Sequence, residues 1–318
     1  MIKGEERRIL KKFVTPQADE FYLPLRSELA CHSDELSRIG SAFCKGLETA
    51  MVVASIPFLL TQKSVAHRVF TQIFIAERIR ALKDVDPGQP LTKELQDRAY
   101  TKALSRHRAI ETSAEGLTAA TDEIIAELGV FVDDQDTSSA AAELLNETVV
   151  ILWGTLEVLI SDTIRHVLNR KPALAAKVAS VEPAKRHFSS RTFSLESLAK
   201  NDFNLQNSMG DILLSERSLD SLLVMRDVLS VVAPRESRVH QHLGRDDLWR
   251  LWQARHLIVH RRGTVDQGYI EKTGSKDLVV GQLLPVDSNY IDEAAMICRD
   301  VGTAFLETWR HPELSLSQ

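Results

Sequence analysis

A chain of 318 residues, 44% apolar and 26% charged, has enough material for one large or two ordinary buried cores and the composition of a soluble globular protein. Its net charge of -5 excludes a chain-wide basic field that would draw in nucleic acid, so such binding must rest on a local patch. The scattered cysteines Cys31, Cys44 and Cys298 form no CxxC pair and read as reduced, mostly buried thiols of a cytoplasmic protein. No apolar leader follows the charged residues 1–12. The most apolar run, residues 50–60, is too short to span a bilayer and contains Pro57, so it reads as a buried helix interrupted near that proline, with no membrane partner expected.

Helical periodicity dominates the chain. Residues 17–47 repeat Phe21, Leu25, Leu29, Leu36, Ile39 and Phe43 at helical intervals, and residues 63–83 do the same through Val65, Val69, Ile73 and Ile79. Residues 86–90 read as a turn, and Thr92 as the N-cap of a helix reaching Gly129. His67, Arg106 and His107 are isolated there and read as solvated positions. The polar, acidic run 133–139 reads as a linker. Residues 140–169 then carry a broad apolar stripe that predicts burial on more than one side, with Glu157 and Asp162 read as outward-facing acids and Pro172 ending the helix. Residues 173–207 are irregular and locally basic, with Lys177, Lys185, Arg186, His187 and Arg191, and residues 209–232 are helical up to Pro234. Leu243, Leu248, Trp249, Leu251, Trp252, Leu257 and Ile258 space out another helix. Val279-Val280 and Leu283-Leu284 suggest a small hairpin, and residues 287–310 a last helix capped by Asp287 or Ser288. The expected fold is all-α. A helical region over 1–135, without chemistry of its own, precedes a helical bundle domain over 138–318.

The chemistry concentrates at Arg255-His256-Leu257-Ile258-Val259-His260, followed by Arg261, Arg262 and Gly263. The apolar triplet fixes the segment against a core, so its polar flanks are held. One flank is a permanent cation and the other can carry a proton near neutral pH, which suits a phosphodiester. Residues 235–262 hold seven arginines, including Arg250, against three acids, a local balance of +4 with no lysine. That favours planar, bidentate partners such as phosphate, or else a surface balanced by acids elsewhere. His256 and His260 share a helix face and could pair on a metal, but two imidazoles are too few for a typical site, and no metal or other cofactor is expected.

With its sequel Gly263-Thr264-Val265-Asp266-Gln267-Gly268-Tyr269-Ile270 and the upstream helix 151–162, this motif resembles the HEPN family of prokaryotic nucleases, most closely its RiboL-PSP-like branch, over about residues 140–310. The resemblance implies a homodimer in which two copies of the motif face one another. It also implies a metal-independent endoribonuclease of a toxin or phage-defence setting, a role compatible with a neutralising partner protein. Arg255, His260 and His256 would be catalytic, and Arg261, Arg262 and Arg250 would hold RNA. A subgroup of such toxins carries Tyr two residues after the His; Arg262 stands there, so modification of that Tyr does not carry over. The competing expectation is a non-catalytic dimeric helical module that binds RNA or nucleotide.

Overall fold

The computed structural model describes residues 6, 8–32, 34–83, 85, 89–188, 195–200, 202–203, 205–214 and 219–309. The chain is all-α. In order the helices are α1 (Asp19–Leu29), α2 (Asp34–Ala54), α3 (Ile56–Leu82), α4 (Lys93–Thr112), α5 (Ala114–Asp133), α6 (Gln135–Arg170), α7 (Pro172–Ser180), α8 (Lys185–Phe188), α9 (Leu195–Ala199), α10 (Leu205–Leu214), α11 (Leu222–Val232), α12 (Arg238–Leu243), α13 (Asp246–Arg261), α14 (Gln267–Thr273) and α15 (Ser288–Thr308). Residues 86–88 of the expected turn, and Arg191, lie outside the described residues.

Local chemistry explains where the helices break. Pro57 sits in the first turn of α3, where its missing N–H is harmless, and the helical run breaks just before it at Ser55. Thr92 caps α4 by accepting the Leu95 N–H at 3.3 Å. The expected helix to Gly129 is two helices, because Ser113 caps a new one by accepting the Gly116 N–H at 3.0 Å, and Gly129 lies inside it. The expected linker at 133–139 is also helical. Asp134 interrupts the chain for one residue and its carboxylate accepts the Thr137 N–H at 2.8 Å, so an acidic run that looked like a loop is an N-cap and the first turn of α6. The expected hairpin is absent. Val279, Val280 and Leu283 are exposed, and residues 281–284 bond instead to the segment after α13: Val265 N–H to the Gln282 carbonyl at 2.8 Å and Leu284 N–H to that of Gly263 at 2.8 Å. Cys44 and Cys298 are buried as expected, whereas Cys31 is exposed.

The chain forms two compact units: residues 1–16 with 54–143, and residues 17–53 with 144–318. This differs from the split expected near residue 135, since α1 and nearly all of α2 belong with the C-terminal part. In the first unit α3, α4 and α5 pack on one another around Ile9, Phe13, Val65, Ile124, Leu128 and Ala141. Two residues expected to be solvated are engaged there: Arg106 pairs with Glu77, and the half-buried His107 ring meets the Ala66 carbonyl at 3.1 Å.

The second unit is built on the α6 stripe. Leu152, Trp153, Leu156, Ile160, Ile164 and Leu168 have no solvent exposure, and each buried aliphatic side chain contributes about 1.5–3 kcal/mol. By length and composition α6 could also cross a membrane; its burial in this unit is the ordinary reason for such apolarity. The buried Cys298 thiol of α15 donates to the Leu152 carbonyl at 3.7 Å. Gly302 lets α15 approach α2 closely, since a Cβ there would meet the Phe43 ring at 2.2 Å. Helix α15 also packs on α1, α12 and α13, and that packing seats the motif helix.

Candidate functional site

Helix α13 carries the motif. Asp247 braces its start, accepting the Leu248 N–H at 2.7 Å and the Arg245 Nε–H at 2.9 Å. Leu248, Leu251, Ala254, Leu257 and Ile258 are buried, and Leu257 packs with Val265, Tyr269 and Leu284. The helix ends at Arg262, a left-handed residue (φ 51°), followed by Gly263 at φ 73°, the region where glycine alone is unstrained. Asp266 caps α14 by accepting the Tyr269 N–H at 2.8 Å, and Tyr269 is buried. Asp266 and Tyr269, residues that carried the family resemblance, therefore serve the turn and the core behind the motif.

Two of the apolar triplet, Leu257 and Ile258, are buried whereas Val259 is exposed, and the polar flanks lie on different sides of the helix. At 100° per residue Arg255 and His260 lie 140° apart on the helix. Arg255 is half-buried. Its Nε is enclosed and meets no acceptor, and the guanidinium has no ion-pair partner among the described residues. His256 and His260 are exposed on one face, their ring centroids 4.4 Å apart. Burial, then the neighbouring His260, Lys272 and Arg255, lower the pKa of His256, so its neutral ring is favoured at neutral pH. Among the described residues no three of His, Cys, Asp and Glu are grouped to hold a metal.

Three arginines of the basic segment are paired with acids. Arg238 bonds Glu307 at 3.2 Å, Arg245 binds Asp247, and Arg261 stands 3.8 Å from Asp266. Arg250, Arg255 and Arg262 have no ion pair among the described residues. The candidate RNA-holding set therefore divides: Arg250 and Arg262 are exposed and free, and Arg261 is exposed but loosely engaged.

Sequence reasoning missed one neighbour of Arg255. Glu157 on α6 was expected to face outward with Asp162. Asp162 does so, bound to Arg165 at 2.7 Å. Glu157 is instead half-buried. Burial pushes its carboxyl above the ordinary range, against the pull of the Arg255 guanidinium and with the help of Asp220. The buried Trp153 indole N–H favours the Glu157 carboxylate weakly but has no acceptor at hydrogen-bond geometry. Two enclosed donors, Arg255 Nε and Trp153 Nε1, thus border one reluctant carboxylate. The available signal was the width of the α6 stripe, which left little outward surface for Glu157. A groove of about 310 Å³ between α2 and α6, lined by Ile39, Phe43, Gly46, Ile151, Gly154 and Val158, shares no residue with the motif.

Compared with protein-family models, with curated proteins and with solved structures, the chain matches none of them.

Proposed function

We propose that the protein is a metal-independent endoribonuclease of a toxin or phage-defence setting, acting as a homodimer on RNA. The observation that carries this reading is Arg255: a half-buried guanidinium with an orphaned Nε and no ion pair among the described residues, near the reluctant Glu157 carboxyl and on the same helix as two exposed imidazoles. A half-buried cation whose neighbouring carboxyl resists ionising is poorly compensated, and a phosphodiester supplies the missing negative charge in bidentate form. The nucleophile belongs to the substrate. The RNA 2'-hydroxyl gives its proton to His260 as the O2'–P bond forms. The P–O5' bond breaks, leaving a 2',3'-cyclic phosphate, and the departing 5'-oxygen takes a proton from water while His260 returns its own to solvent. Arg255 offsets the charge growing on the phosphoryl oxygens, and His256, whose ring adjoins His260, orients it or meets the phosphate. Arg250, Arg261 and Arg262 hold the flanking backbone. Because Arg255 and His260 diverge on one helix, the reading has them meet across a two-fold axis, each chain giving half a site.

RNA incubated with the protein in EDTA should yield 2',3'-cyclic phosphate ends, and Arg255→Ala or His260→Ala should reduce the rate at least about a hundredfold. Full cutting by His260→Ala would remove His260 from the mechanism. RNA bound without cleavage by wild type and variants alike would support the binding module instead.

A further inference from the structure

One face of α13 carries more than the two imidazoles. Trp249, Trp252, His256 and His260 follow at intervals of three, four and four residues, which on a helix gathers them within about 80°. Their ring centroids are successively 5.0, 6.4 and 4.4 Å apart. Successive planes are tilted by 53°, 47° and 53°, so no ring covers the face of the next in a closed stack. Trp249 is fixed, its indole N–H donating to the Lys272 carbonyl at 3.0 Å, with the Arg226 guanidinium 5.8 Å from its ring. Trp252 is half-exposed and makes no hydrogen bond among the described residues. Cations border the row: Arg226 at its start, Lys272 and Arg255 beside His256, and Arg250 and Arg262 free of ion pairs among the described residues.

We propose that Trp252, with Trp249 and His256 beside it, is a stacking platform for unpaired bases next to the scissile phosphate, so that the substrate is single-stranded RNA. This rests on the ribonuclease reading and adds a base-holding site to it. Every base has a π-face, so such a row grips strands with little sequence preference, while the bordering cations follow the backbone. A duplex keeps its bases stacked on each other and gains nothing from the row.

The test uses the full-length protein and a 2'-O-methyl RNA, which cannot be cut by its own 2'-hydroxyl, presented alone or annealed to its complement. The single strand should bind at least about tenfold more tightly than the duplex and quench tryptophan fluorescence. Trp252→Ala should weaken single-strand binding by between about five- and a hundredfold, with Trp252→Phe keeping most of it. The slope of log affinity against log salt should not change, because no phosphate contact is lost. Sedimentation should give the same mass for Trp252→Ala as for wild type. Equal binding of duplex and single strand, wild-type binding by Trp252→Ala, or a loss traced to altered mass overturns the platform. If the wild type cuts RNA under any of these outcomes, the ribonuclease reading survives; if it binds no RNA of either form, both fall.

Discussion

Leu257 and Val259 stand two residues apart in the motif with opposite burial, 3% and 46% exposed. Leu257 lies in a cluster with Ala254, Val265, Tyr269 and Leu284. Truncation to Ala removes its transfer free energy and opens a cavity, a loss of about 2–5 kcal/mol in well-packed cores. The cluster is small and is bordered by the half-buried Ile270, Leu278, Val286 and Tyr290, which can close part of the gap. The expected cost of Leu257→Ala is therefore about 3 kcal/mol, whereas Val259→Ala should stay within about 0.5 kcal/mol. Urea titration followed by tryptophan fluorescence reads this difference, since Trp249 and Trp252 sit on the same helix. With a slope of about 3 kcal/mol/M, the midpoint should fall by about 1 M for Leu257→Ala and hardly move for Val259→Ala. Equal losses, or a larger one at Val259, would refute the inference that this triplet is held by one side.

Two other substitutions bear on the site. The Glu157 carboxyl is held above its unfolded value, so its contribution to stability is present at low pH and fades as pH rises through the folded pKa. Glu157→Gln should therefore match wild type in urea midpoint near pH 4 and exceed it near pH 7; a variant weaker than wild type at neutral pH would mean that the charge is needed to hold Arg255. Arg262→Gly relieves a left-handed backbone that costs a side-chain-bearing residue about 1–2 kcal/mol, less the extra chain entropy of glycine, for a net gain of about 0.5–1 kcal/mol. The same change should lower the salt slope of RNA binding by about one, and an unchanged slope would take Arg262 out of the phosphate contacts.

The all-α fold was legible because helical spacing recurs through most of the chain, and the caps at Thr92 and Asp287 were readable from residue type. The breaks were less so. Ser113 and Asp134 restart helices without glycine or proline, and a polar acidic run looks the same as loop or as first turn. The motif's placement on one helix followed from Leu248, Leu251, Leu257 and Ile258. The return of residues 281–284 to Gly263 and Val265 did not, because the pairing joins segments with no alternating pattern. Glu157 was misread because the residues around it, Arg255 among them, come from parts of the chain as far as 98 positions away in sequence. The grouping of α1 and α2 with the C-terminal helices rests on tertiary fits such as Gly302 against Phe43, which periodicity cannot express.

The proposed mechanism stands or falls on Arg255 and His260 acting across two chains. Mixing inactive Arg255→Ala protein with inactive His260→Ala protein, with subunit exchange, measures this directly. Random pairing makes about half of the dimers mixed, each with one intact site of two, so RNA cleavage should return to about a quarter of the wild-type rate. A mixture that stays as inactive as its components would contradict the shared site.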